Sequence, residues 1–356
     1  MKPSKNSRSA RGVLGCVFCL SVAACIYGIY QAISENMPRQ LPPGWGVIRP
    51  PHDVFALALQ GNLIWAGGTE GVWALDRQSG RIVTTLTCPS PLTYVRALVI
   101  DRSGTLWVGH LGGLTRFDGA ACRTLTEEDG LPDGRVNAVF LDREDRLWVG
   151  TWDGAAIFDG KIWRVLTSAD GLVDDMVNVI AQDAGGGMWF GSYVAPRGGV
   201  SRLHNGTWQV FTRNTGLPHN NITAIVPDRA GGVWVGAGLY NRGGAARLVQ
   251  GEGGWRIDRV LQKTEGLAGE KVRAIFEDRS GVLWFGSEYD GLARLEDGRF
   301  RVFTSEHGLS HPEIKCLLQD PEGVLWIGTR DGITRLSTEA LKVLATHKRT
   351  ESKGSL

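Results

Sequence analysis

The sequence predicts an all-β protein: a seven-bladed β-propeller of four-stranded antiparallel blades, preceded by an N-terminal transmembrane or signal-anchor helix. Three observations predict it. The string apolar-Trp-apolar-Gly occurs seven times, centred on Trp65, Trp107, Trp148, Trp189, Trp234, Trp284 and Trp326, at spacings of 42, 41, 41, 45, 50 and 42 residues. Four-stranded blades repeat at roughly 40–50 residues. The chain also holds 49 glycines and 13 tryptophans among 356 residues, the signature of many tight turns around a repeated packing element. After the N-terminal segment, no stretch has a helical period.

Each unit reads in one order. A short apolar strand comes first, such as Val136 to Phe140. A tight turn follows that opens on Asp and often ends on Gly, as in Asp101 to Gly104, Asp228 to Gly231, Asp278 to Gly281 and Asp320 to Gly323. The Trp strand is next, then a loop and a third strand such as Gly291 to Leu295. Asp118-Gly119, Asp159-Gly160, Asn205-Gly206 or Asp297-Gly298 turns the chain into a fourth strand, where an aromatic precedes an aliphatic by two positions (Trp163 and Val165, Trp208 and Val210, Trp255 and Ile257, Phe300 and Val302). A Gly-Leu loop leads to the next unit. A blade cannot cover its own faces, so neighbouring blades must do so. The Trp strands are near-continuous apolar runs, which places the indoles between blades and not around a channel.

Closing the ring requires a fourth strand for the last unit. Gly44-Trp45-Gly46-Val47-Ile48-Arg49 has the Trp-x-Val pattern and is expected to supply it; the competing segment is Leu341 to Leu344. The domain reading is a basic n-region at 1–11, a transmembrane signal anchor at 12–33, a linker at 34–43, the propeller at 44–340 and a C-terminal tail at 341–356, polar from Thr346 onward. Lys2, Lys5, Arg8 and Arg11 precede an uncharged apolar run long enough to cross a bilayer. That asymmetry orients the propeller to the extracytoplasmic, periplasmic side of the cytoplasmic membrane as a single-pass protein. An uncleaved anchor, a lipoprotein signal with Cys25 as the lipidated residue, and ordinary cleavage all give this placement.

The unit resembles the two-component regulator propeller repeat, most clearly in Val272 to Asp278 with Leu283 to Gly286 and in Leu325 to Ile333. The resemblance covers about residues 44–340. It implies an extracytoplasmic sensory or binding module, of the kind found in hybrid histidine kinases that respond to glycans, here without a kinase domain of its own.

Net charge is +2, which gives no reason to expect nucleic acid or an acidic polymer as partner. The expected partners are a small-molecule or glycan ligand or a signalling protein, with the membrane contacted through the N-terminal helix. Outside the apolar run only Cys88, Cys122 and Cys316 remain. They have no metal spacing and no disulfide framework, so buried thiols are expected, with a Cys88–Cys122 bridge as the alternative. No cofactor or metal is expected.

Loops between the second and third strands vary most and share the face of the blade-joining loops, where function usually sits. They nominate Trp152, Tyr193, Arg197, Tyr240, Arg242, Glu288, Tyr289 and Arg330 as ligand-binding residues. The segments Ser192 to Arg197 and Ala237 to Arg242 read as two loops each longer by four residues, offering aromatics to stack and arginines to grip a carboxylate. An enzyme reading, a lyase or hydrolase, rests on His110, His307, His311 and Glu288. His52 and His219 map to the same face. A non-catalytic assembly scaffold is the third reading.

Overall fold

The computed structural model describes residues 40–346 apart from Ala195. Seven four-stranded antiparallel sheets surround one axis. The first strands are Val54–Gln60, Ala97–Ile100, Val136–Leu141, Val177–Gln182, Ile222–Pro227, Val272–Glu277 and Ile314–Gln319. Each touches the first strand of both neighbouring blades in an unbroken circle, so these strands line the axis.

The seven repeat tryptophans are all buried, none more than 8% exposed. Each packs onto the following blade. Trp189 meets Ile225, Val235 and Trp255, Trp284 meets Leu325 and Ile327, and Trp326 meets Ile64 and Trp73 of the first blade. The Gly two residues after each Trp is needed for close approach. A Cβ on Gly286 would lie 2.7 Å from the Ile314 Cβ, and one on Gly191 would lie 2.6 Å from Ile222 Cγ2.

The turn aspartates have a second task that spacing alone does not reveal. One carboxylate oxygen caps the turn and the other accepts the indole N–H six residues on. The pairs are Asp101–Trp107 at 2.9 Å, Asp142–Trp148 at 2.9 Å, Asp183–Trp189 at 2.8 Å, Asp278–Trp284 at 3.0 Å and Asp320–Trp326 at 3.0 Å. Gln60 serves Trp65 in the first blade. In the fifth blade both oxygens of Asp228 go to Arg247, and the Trp234 indole N–H has no partner among the described residues.

Trp45–Ile48 is the fourth strand of the last blade, pairing Trp45 with Leu336 and Ile48 with Ile333. The expected N-terminal closure is therefore the one found. The competing segment is not a strand: Thr338–Thr346 is a helix whose Ala340 and Leu344 are buried, with Leu344 in the core cluster of the last blade. Four Gly-Leu loops contain one-turn 3-10 helices that end on a left-handed glycine: Gly130, Gly216, Gly266 and Gly308.

Cys88 and Cys122 form a disulfide, with Cα atoms 5.6 Å apart. This corrects the expectation of buried thiols for that pair. The bridge joins the segment after the first blade to the outer strand of the second, two sites 34 positions apart in sequence. Cys316 is a free thiol. No helix among the described residues is long and apolar enough to cross a membrane. The basic region, the apolar run at 12–33 and residues 347–356 lie outside the described residues.

Candidate functional site

Six of the seven first strands carry a β-bulge at the same place. In each, a residue is skipped just before the pair formed with the repeat glycine: Ala138 with Gly150, Val179 with Gly191, Ala224 with Gly236, Ala56 with Gly67, Ala274 with Gly286, Cys316 with Gly328. A bulged residue is free of the ladder, so its side chain can be aimed elsewhere. The skipped residues are Phe55, Asn137, Asn178, Thr223, Arg273 and Lys315. Arg96 holds the equivalent place in the second blade, just before Ala97 pairs with Gly109. All seven line one cavity of about 400 Å³ on the axis, together with Trp152, Met176, Tyr193 and Lys271.

The ring also links neighbours. Asn178 Nδ2 donates to the Ile222 carbonyl at 3.1 Å, Asn137 Nδ2 to the Val177 carbonyl at 3.4 Å, and Thr223 to the Val272 carbonyl. On the opposite arc are charges. Arg273 meets Glu313 at 2.8 Å and Glu288 at 3.6 Å. Lys271 pairs with Glu288, and Lys315 pairs with Asp53 and with Glu313 at 3.3 Å. The pairing with Lys315 and the hydroxyl of Thr69 holds the Asp53 carboxyl below its usual value, although burial, the largest single influence, opposes this. Phe55 lies between two cations, with Lys315 Nζ 4.0 Å and the Arg96 guanidinium carbon 5.1 Å from its ring centre.

Of the residues the loops nominated, two reach this cavity. Trp152 forms part of its wall, under the Arg135 guanidinium at 4.3 Å, with its indole N–H donating to Asn137 at 3.3 Å. The Tyr193 hydroxyl accepts from Lys271 at 2.9 Å. Glu288 is behind the wall as the partner of Lys271, and the Tyr289 hydroxyl donates to it at 3.2 Å. Arg330 is exposed, 3.9 Å from Glu313. Arg197 lines an adjoining cleft with Asp174, 3.4 Å away; Trp152 and Met176 separate the two spaces.

The second long loop is not a loop. Val233–Leu239 and Arg242–Gly251 continue their ladder outward to the pair Leu239–Arg242. Tyr240 sits at the tip with φ +53 and is 71% exposed, and neither it nor Arg242 lines the cavity.

The histidines are occupied locally. His110 is fully buried. Its Nδ1 accepts the Gly112 amide at 3.1 Å and its Nε2 meets Thr115 Oγ1 at 2.9 Å. Burial pushes its pKa down to about 4. His311 and His219 repeat the motif, each Nδ1 accepting the amide two residues on, from Glu313 at 3.0 Å and Asn221 at 2.9 Å. Burial, above all, lowers both pKa values. His307 Nδ1 accepts the Thr304 amide at 3.1 Å and completes a capping box. His110, His307, His311 and Glu288 therefore sit in four local networks, with no hydrogen bond between any two of them among the described residues. Nor does any group of three or more His, Cys, Asp and Glu among the described residues form a metal cradle.

Sequence reasoning missed the axial ring. Its signal was present: one residue flanked by apolar neighbours at a fixed place in the first strand of each unit, polar in all but the first.

The architecture defines a seven-bladed propeller with a polar axial cup, a scaffold shared by sensors, enzymes and assembly factors. Segments 130–153, 216–238, 266–289 and 308–331 match the family model described as two component regulator propeller, so the chain carries the repeats of that family. Among solved structures, the extracellular domain of a hybrid two component system from B. thetaiotaomicron is similar at 21% identity and a TM-score of 0.73, over 86% of this chain and 42% of that one. A catalytically inactive virginiamycin B lyase from Staphylococcus aureus, solved with quinupristin, matches at 15% identity and 0.64, over 82% and 98% of the two chains. PorZ, a surface component of the type-IX secretion system of Porphyromonas gingivalis, matches at 18% and 0.63, over 87% and 50%. At these identities the likeness is one of fold. The chain thus spans less than half of the hybrid-system domain it resembles. No curated protein matches it.

Proposed function

We propose that this propeller is an extracytoplasmic sensory module that takes a small ligand in its axial cup and reports occupancy to a partner protein. The observation that carries the reading is the cup itself. All seven blades each send one side chain from the same register position into a single cavity, Phe55 among them, and Trp152 and Tyr193 add further aromatic faces. Concave sites with a few convergent polar groups are the usual form of a ligand pocket. The regulator-propeller repeats and the fold of the hybrid-system extracellular domain support the sensory role. The Cys88–Cys122 bridge supports an oxidising compartment, in agreement with the basic-then-apolar N-terminal sequence. Single-pass anchoring through residues 12–33 is part of the proposal.

The test is a thermal-shift screen of the full chain against neutral sugars, sugar acids and small organic acids, run beside Asn178→Trp. That substitution puts an indole into the cup without breaking a ladder hydrogen bond. At least one compound should raise the melting temperature of the wild type and leave that of the variant unchanged. A shift of equal size in Asn178→Trp would move the site away from the axis, and no shift across the panel would remove the ligand-sensing role.

A further inference from the structure

The residues around the cup are unevenly charged. Of the eleven that line it, Arg96, Lys271, Arg273 and Lys315 are basic and none is acidic. Three carboxylates stand behind this surface, on Asp53, Glu288 and Glu313, and their side chains are between 10% and 28% exposed. They hold three of the four cations: Lys271 on Glu288, Arg273 on Glu288 and Glu313, Lys315 on Asp53 and Glu313. The exposed Arg330 shares Glu313 as well. Four cations therefore draw on three acids, and no acid is left for a fifth.

Arg96 is the cation left over. It forms no ion pair with a carboxylate among the described residues, and its guanidinium rests against the Phe55 ring at 5.1 Å. On balance its surroundings oppose its charge, and Tyr193, Asp53 and Tyr94 offset this only in part. Burial first, and Arg273 next, push its pKa down from the ordinary value. A guanidinium presents a planar fork that suits an oxyanion, and a half-buried one lacking a counter-charge gains most from receiving it. The other cations cannot serve Arg96, and the acids behind the wall are engaged. The remaining lining supplies a surface for the ligand's body: Trp152, Tyr193 and Met176, with the amides of Asn137 and Asn178. Low-dielectric walls around an excess of one sign concentrate the opposite sign in the cleft.

We propose that the axial cup selects a small organic oxyanion, such as a sugar acid, whose charged group is gripped by Arg96 while its body lies against Trp152 and Tyr193. This rests on the reading that the cup is a ligand site, and it adds the ligand's charge class and the residue that reads it.

Matched pairs test it on the full chain: galactose against galacturonate and glucose against glucuronate, with inorganic phosphate and sulfate as bodiless oxyanions. Titration calorimetry is run on the wild type, Arg96→Gln, Arg96→Lys and Arg197→Gln. A sugar acid should bind where its neutral twin does not. Arg96→Gln should weaken it at least tenfold, Arg96→Lys should restore part of the loss, and Arg197→Gln should leave it unchanged. The unliganded melting temperature of Arg96→Gln should equal or exceed that of the wild type, since an uncompensated cation has been removed; this separates lost recognition from lost folding. Weaker binding of phosphate or sulfate through Arg96 would support the oxyanion grip, with the sugar ring supplying the rest. Neutral sugars binding as well as acids, or acids binding equally to Arg96→Gln, would overturn the charge-class proposal while the cup remained a ligand site. If no compound binds any of the proteins, both readings fall together.

Discussion

His110 makes the fold acid-sensitive by an amount that can be worked out. Its ring is fully buried in the second blade, at the position after the repeat glycine that holds Thr151, Ser192, Ser287 or Thr329 in other blades. Because Nδ1 accepts the Gly112 amide, the neutral ring carries its proton on Nε2 and donates to Thr115, whose hydroxyl is in turn 2.7 Å from that of Thr124. A second proton would have to go on Nδ1, facing an N–H donor, in a site with no carboxylate partner among the described residues. The pKa accordingly falls from 6.5 to about 4. The folded state holds the neutral form, so this contribution is fully present above pH 6.5 and drains away as pH falls through 6.5 toward 4. At pH 4.5 the unfolded chain has taken up its proton and the folded chain largely has not, a penalty of about 2 to 3 kcal/mol at roughly 1.4 kcal/mol per pH unit. The comparison is with His110→Asn, which does not titrate and whose Oδ1 can accept the same amide in an Asx turn. Urea unfolding at pH 7.5 and 4.5 measures both proteins. The variant is expected to be the weaker at pH 7.5 because the ring volume is lost, yet to lose about 2 to 3 kcal/mol less than the wild type on acidification. Carboxylate titrations are common to both and cancel. Equal losses would refute the argument that burial holds this imidazole neutral.

Other outcomes follow from the core and its links. Asp183→Ala removes the acceptor of both the Trp189 indole and Arg202, leaving a buried cation unpaired, and should lower unfolding free energy by about 3–5 kcal/mol in urea titration. Gly286→Ala forces a methyl against Ile314 and should cost about 1–3 kcal/mol by the same measurement, with a change in near-ultraviolet tryptophan dichroism as that blade contact shifts. The Cys88→Ser and Cys122→Ser double variant opens a loop of 34 residues; a loss of about 2–4 kcal/mol is expected, and thiol titration of the unfolded wild type without reductant should count two fewer thiols than with it.

The number of blades, the placement of the indoles and the closing strand were legible because each depends on a period that the chain repeats seven times. Other features were not, for reasons that differ by residue. The aspartate that opens each turn looked fully explained by turn chemistry, so its bond to the indole six residues later went unread. Ala237 to Arg242 looked like a long loop beside Ser192 to Arg197, but Gly238, Gly243 and Gly244 adopt φ between +146 and +154 and let the ladder run on to the tip. The two disulfide cysteines are brought together by the packing of adjacent blades, which spacing does not encode. The histidines looked like a shared set because the loops that carry them map to one face, but His110, His219 and His311 each turn Nδ1 to the amide two residues on, His307 caps the Thr304 amide, and His52 meets Asp331. The axial ring was concealed by the bulge. In a regular strand Asn137 and Phe140 would face opposite ways by simple alternation, whereas skipping one residue resets the count.

That skipped residue has a further consequence. A side chain that takes no part in the ladder can be exchanged without unfastening a rung, at the cost for Asn137, Asn178 and Thr223 of one bond to the neighbouring blade, so each blade contributes one tile to the floor of the cup. Asparagine, threonine, arginine, lysine and phenylalanine already occupy equivalent tiles here. The scaffold can therefore acquire new chemical preferences one blade at a time, by drift at seven positions, while the walls that keep the ring upright stay as they are.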